Sequence, residues 1–239
     1  MKSLRSLLIA TSNNNSGQAS VKTGVWFEDF VTAYFILKDG GEYITVASPL
    51  GGQIPVDPES QYTDATTENN QRFVTDSQAM YHFAHALPLN EIKPESFDLI
   101  FLAGGYGAMW DFPSDKNLNH IISHFIQENK TVGLVGHAPV ALISLTTANK
   151  EPFVKGKKIT AFSNSEEQST GLDEISPFLL ESVLVSLGAH YSKGNDFASY
   201  TVTDGNLITG QNPASTAQTA RQTLSCAHER EKILQIEIN

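Results

Sequence analysis

The 239 residues include a single cysteine, Cys226, so no intrachain disulfide framework is available and the chain fits a reducing compartment. No apolar run approaches the length of a membrane span. The first one, Leu7-Leu8-Ile9-Ala10, is too short even for the hydrophobic core of a signal peptide and reads as a buried strand. Basic residues are scarce: 16 Lys and Arg against 26 Asp and Glu give a formal net charge of -10, with no cluster of either sign. That balance disfavours nucleic acid and membrane surfaces and leaves small molecules and proteins as partners. Internal repeats and low-complexity linkers are also missing, and 40% hydrophobic residues suffice for one sizeable core. The expectation is a soluble, cytoplasmic chain with a single domain over residues 1–239.

What is present is an alternation. Short apolar runs at Leu7 to Thr11, Tyr43 to Ala47, Asp98 to Ala103, Thr131 to Val135 and Ile159 to Phe162 are separated by helical patterns. Val25 to Leu37 is almost continuously apolar, and Leu118, Ile121, Ile122 and Phe125 fall at helical spacing within Lys116 to Asn129. This predicts βαβ units: an α/β fold with a mostly parallel sheet flanked by helices on both faces. Asp39-Gly40-Gly41 marks the end of the first helix, and Asn212-Pro213 marks the start of the last. Pro49 to Asn70, rich in Gly, Pro, Asp, Gln and Thr, reads as an irregular surface loop that lies over a site.

In such sheets ligands bind beyond the carboxyl ends of the strands. Two segments are placed there. Leu102-Ala103-Gly104-Gly105-Tyr106-Gly107 follows a buried strand and leaves its backbone open to close approach. Gly133-Leu134-Val135-Gly136-His137-Ala138-Pro139 is a strand turning sharply into a helix, the geometry of a nucleophile elbow.

The elbow residues Gly136, His137, Ala138 and Pro139 resemble the Cys-His-Gly-Pro elbow of the ThiJ/PfpI superfamily, in its glyoxalase III and chaperone-like branch. The resemblance continues through Lys22-Thr23-Gly24-Val25-Trp26, Ala47-Ser48-Pro49, Met109-Trp110-Asp111, Phe162 to Glu167, Pro177 to Glu181 and Asp204 to Ser215. It implies a flavodoxin-like, class I glutamine amidotransferase-like sandwich, a homodimer, no cofactor and no metal. It also implies a small carbonyl ligand or an unfolded protein segment as partner, in a stress-related role. By the same resemblance, His137 is the proton-moving histidine and Glu167, with Glu166 as the neighbouring alternative, the acid that orients it. Asp29, or its neighbour Glu28, stands where a glutamate meets the thiol. Gly104, Gly105, Tyr106 and Ala138 fall at the oxyanion pocket, with Trp26 and Trp110 as lining.

Gly136 departs from that pattern at the nucleophile. Glycine has no atom that can form a covalent adduct, although it relieves the strained backbone of an elbow. Asp29, Tyr106 and Ala138 depart from the branch around the same pocket, which favours natural divergence over a single engineered substitution. Three readings follow: a non-covalent binder, a cysteine-independent hydratase or isomerase using His137, or a glyoxalase III-like lyase if cysteine is native at 136. The pairs His82 with His85 and His120 with His124 have helical spacing, but neither has further ligands nearby to complete a metal site. Cys226 reads as an unactivated helix residue.

Overall fold

Strands buried on both faces can do without polar positions, and the central ones here do. The computed structural model describes residues 3–17, 21–63 and 67–238. β1 (Arg5–Ile9), β2 (Tyr43–Ser48), β3 (Leu87–Pro88), β4 (Leu99–Leu102) and β5 (Thr131–Val135) are parallel neighbours in a seven-stranded sheet. Two-residue alternation sends Leu7, Ile9, Ile100 and Leu102 into the core on one face, and Leu8 and Phe101 into the core on the other. α1 (Phe27–Asp39) covers the second face with Phe30, Val31, Tyr34 and Phe35. Each such large apolar side chain contributes about 1.5–3 kcal/mol on burial. Gly40 closes α1, its N-H bonding back to Ile36 O at 3.1 Å.

The segment Pro49 to Asn70, expected as irregular, instead carries α2 (Pro58–Thr63) and the start of α3 (Glu68–Phe73); residues 64–66 of that span lie outside the described residues. Its Asp-Pro and Thr-Glu starts supply capping groups, and Thr67 Oγ1 accepts Asn70 N-H at 3.2 Å. α4 (Ser77–Ala84) follows. On the opposite face α5 (Ala108–Asp111) is short, and α6 (Lys116–Gln127) starts at Asp115, whose side chain accepts from Leu118 N-H at 2.8 Å. α6 buries its expected stripe of Leu118, Ile121, Ile122 and Phe125.

Beyond β5 the chain departs further from the sequence reading. The run Ile159 to Phe162 is not a strand of the main sheet. Only β6 (Lys158–Ile159) forms there, pairing with β7 (His190–Tyr191) in a separate parallel ribbon, across α7 (Asn164–Thr170) and α8 (Leu180–Ser186). The place beside β5 is taken by β9 (Leu207–Gly210), and its antiparallel partner β8 (Thr201–Asp204) ends the sheet. The strand order is therefore β3-β2-β1-β4-β5-β9-β8. After Asn212-Pro213 a 3-10 turn over Pro213–Ser215 leads into α9 (Thr216–Ile238), which returns across β5 and β9 beside α1. The chain moves outward from β1 to β2 on one side and resumes at β4 on the other, so the crevice between β1 and β4 is the topological switch point.

Candidate functional site

β5 ends one strand beyond this crevice, next to β4, and Gly136 follows it with φ +62°. A side chain there carries a strain of about 1–2 kcal/mol that glycine avoids. Space is not the constraint: a Cβ on Gly136 would stand 3.5 Å from Asp29 Oδ2 and 3.7 Å from Gly104 Cα, both ordinary contacts. The elbow is fixed by Gly136 N-H donating to Gly210 O at 3.0 Å and by its own carbonyl accepting from Phe162 N-H at 2.9 Å. The expected helix after it is a 3-10 segment, Ala138–Leu142, too short for an appreciable macrodipole.

The neighbouring Gly-rich turn is needed for chain packing. A Cβ on Gly104 would meet Val135 O at 2.7 Å, and one on Gly105, whose φ is +125°, would meet Gly24 O at 2.5 Å. These glycines let the segment before α1 close onto the strand ends, sealed by Trp26 N-H to Gly104 O at 3.0 Å. That closure brings Asp29, in the first turn of α1, against Gly136. Although one methylene shorter than glutamate, Asp29 reaches the elbow, where its Oδ1 accepts from Thr216 Oγ1 at 2.5 Å. Glu28 turns away, accepting from Thr32 and Thr67 at 2.6 and 2.7 Å.

His137 is 5% exposed, and its Nε2 lies 2.8 Å from Glu167 Oε1. The ring sits between Tyr106, edge-on at 5.2 Å, and Phe162 at 4.5 Å. Of the two glutamates, only Glu167 meets the histidine. Glu166 forms the capping box of α7 with Ser163 and also accepts from Phe197 N-H at 2.8 Å and Asn212 Nδ2 at 2.7 Å. Tyr106 donates to Leu172 O at 2.8 Å, and burial pushes its hydroxyl pKa well above the usual range.

Gly136, His137, Asp29, Gly105, Tyr106 and Trp26 thus line one cavity of about 480 Å³. Gly104 stands behind it, Ala138 is fully buried in the core, and Trp110 packs edge-on against Tyr106 at 4.9 Å without lining the cavity. Asp111, from the same motif as Trp110, accepts from Thr11 Oγ1 and from the backbone N-H groups of Ser12 and Asn13; burial pushes it up to about 6.

The sequence reading missed the rest of the lining. Asp57 and Glu59 come from the start of α2, Thr170 from the end of α7, Leu172 from the turn after it, Phe162 and Phe197 from irregular segments, and Pro213 from the turn before α9. Asp57-Pro58-Glu59 is a helix-start signature that locates the first two. Asp57 accepts from Thr23 Oγ1 at 2.9 Å, yet burial, the largest influence, raises its pKa above the ordinary aspartate value. Among the described residues no group of three or more His, Cys, Asp or Glu is placed to hold a metal. His82 bonds Tyr34, and His85 stacks on Tyr81 at 4.4 Å. Cys226 is half-buried beside Thr131, at the far end of β5 from Gly136.

A family profile described as DJ-1/PfpI matches residues 27–225, which takes in the first helix, both turns and the start of α9. The chain belongs to the DJ-1/PfpI family. Within it, Glyoxalase 3 of Candida albicans is 27% identical over 228 residues, 92% of this chain and 96% of that protein. A glutathione-independent glyoxalase of Schizosaccharomyces pombe is 27% identical over 223 residues, covering 89% and 91% of the two chains. Among solved structures, the Rapid Encystment Protein 24 kDa of Francisella tularensis superposes with a TM-score of 0.89 at 32% identity, covering 94% of this chain and 99% of that one. Glyoxalase III of Candida albicans gives 0.86 at 26%, covering 93% and 97%.

Proposed function

We propose that this DJ-1/PfpI member holds a small carbonyl compound non-covalently in the Gly136 cavity and lacks the glyoxalase reaction for which its fungal relatives are named. The observation that carries this reading is Gly136 itself. The elbow offers no nucleophilic atom, while Asp29 stands beside the space a side chain would occupy and His137, held by Glu167, lines the same cavity. Loss of the nucleophile from a catalytic group of this kind costs roughly a million-fold in turnover in the best-measured hydrolase. The cavity itself is retained, concave and largely apolar with a few polar groups, as small-ligand sites are.

The test is methylglyoxal consumption by the purified protein, followed as lactate formation without glutathione. No turnover above the buffer rate is expected; substantial turnover overturns the reading. Gly136→Cys is the companion measurement. The Cβ has room, and the positive φ costs about 1–2 kcal/mol in stability, so the variant is expected to fold and to gain lactate formation.

A further inference from the structure

The cavity has a second chemical character, set by side chains away from the elbow. Asp57 and Glu59 enter it from the start of α2 and Asp29 from α1, while among the described residues no lysine or arginine lines it. The hydroxyls in its lining are already committed as donors. Tyr106 donates to Leu172 O at 2.8 Å, and Thr170 Oγ1 donates to the carbonyls of Glu166 and Glu167 at 3.1 and 3.0 Å.

His137 supplies an independent observation. Its Nε2 is engaged with Glu167, so in the neutral ring Nε2 carries the proton and Nδ1 is an acceptor. No described residue bonds Nδ1, although the residue is only 5% exposed, and the ring lines the cavity. Nδ1 is not sealed in the core: it opens on the cavity, where it can accept a ligand N-H. The remaining wall is aromatic, with Phe162 and Phe197 at 6.4 Å and Tyr106 beyond His137. Ring faces attract organic cations.

From this arrangement we infer that the occupant is a small organic ammonium ion, its N-H groups on His137 Nδ1 and the carboxylates of Asp57 and Glu59, and its carbon body against the aromatic wall. The described acidic groups form no metal-binding cluster, which favours an organic over a metallic cation. Burial raises the pKa of Asp57, and a cation beside it offsets that desolvation. The inference deepens the carbonyl reading, since the two together specify an aminoketone or aminoaldehyde, but it rests only on the cavity being a ligand site.

Four probes separate the two. Aminoacetone, hydroxyacetone and pyruvate are three-carbon ketones that differ in charge, and propylamine carries the ammonium without the carbonyl. Each is titrated into the purified full chain and followed by NMR. Aminoacetone is expected to bind at least about tenfold tighter than hydroxyacetone, with pyruvate weakest, the size of effect one partly buried charge contact supplies. Asp57→Asn is expected to abolish most of that preference; Glu59→Gln, at an exposed position, is expected to reduce it and stands in if the first variant does not fold. Hydroxyacetone or pyruvate binding as tightly as aminoacetone overturns the inference, as does failure of all four to bind. Propylamine equal to aminoacetone upholds the ammonium site and removes the carbonyl reading instead.

Discussion

Two walls of the cavity are held by residues adjacent in sequence. Glu167 faces the elbow wall, where its carboxylate fixes the ring of His137. Glu166 faces the other way. It accepts from Ser163 N-H and Oγ-H, from Asn212 Nδ2 and from Phe197 N-H, so it anchors a wall made of irregular chain. Phe197 sits at φ +58°, a conformation that costs a non-glycine residue about 1–2 kcal/mol and that the bond to Glu166 helps hold. The elbow wall grows from the ends of β4 and β5 and inherits their rigidity. The opposite wall depends on one carboxylate tying separate loops together. Strand ends thus position His137 and Gly136, and loops set the charge and shape of the opposite side of the cavity.

The largest test of this contrast is the pair Glu166→Ala and Glu167→Gln. The first removes the shared acceptor of four donors, those of Ser163 and Asn212 buried and that of Phe197 part-buried, so after partial relaxation a loss of about 3–5 kcal/mol is expected in urea unfolding. The second keeps an amide oxygen beside the histidine and is expected to cost under about 1.5 kcal/mol. Equal losses would mean that both walls lean on α7 alike.

A smaller contrast compares two glycines of the elbow wall. Gly104→Ala drives a methyl into Val135 O and Asp29, an overpacking worth about 2–3 kcal/mol. Gly136→Ala meets nothing closer than 3.5 Å and is expected to cost only the backbone strain, about 1–2 kcal/mol. Thermal or urea unfolding of both variants ranks them. The reverse order would place the tight packing at Gly136.

The smallest effect belongs to Asp57. Its folded pKa lies above the unfolded value, so the native state binds the proton more tightly and stability falls as pH rises from the ordinary aspartate pKa through the raised one. The stability difference between the parent protein and Asp57→Asn is therefore expected to shrink across that window and to level off above it. A flat difference in urea unfolding would show that Thr23 and Glu59 N-H cancel the burial, and a rising one that they outweigh it.

The strands β1, β2, β4 and β5 were legible because parallel strands covered on both faces read as unbroken apolar runs. The elbow was legible because a glycine between such a strand and a proline has few other uses. β9 was not: Leu-Ile-Thr-Gly is short and carries a polar residue, and its place beside β5 is decided by tertiary contacts 76 residues away in sequence, as in the pairing of Asn206 Nδ2 with Lys130 O. The short helices α2 and α3 were hidden by turn-forming residues that also cap helices. Asp57 and Glu59 went unnoticed for the same reason. Between Glu166 and Glu167, sequence alone had no means of choosing, because 100° of helical rotation separates them and only the position of His137 decides which one meets it.

The bond from Thr216 to Asp29 also fixes a sequence of events. The cavity's buried acid is secured by a residue made 187 positions later, and Gly136 hangs from Gly210. On the ribosome, β1 to β5 can all have emerged while the elbow still lacks both partners. The cavity is thus complete only once the segment that carries Gly210 and Thr216 has folded against β5 and α1.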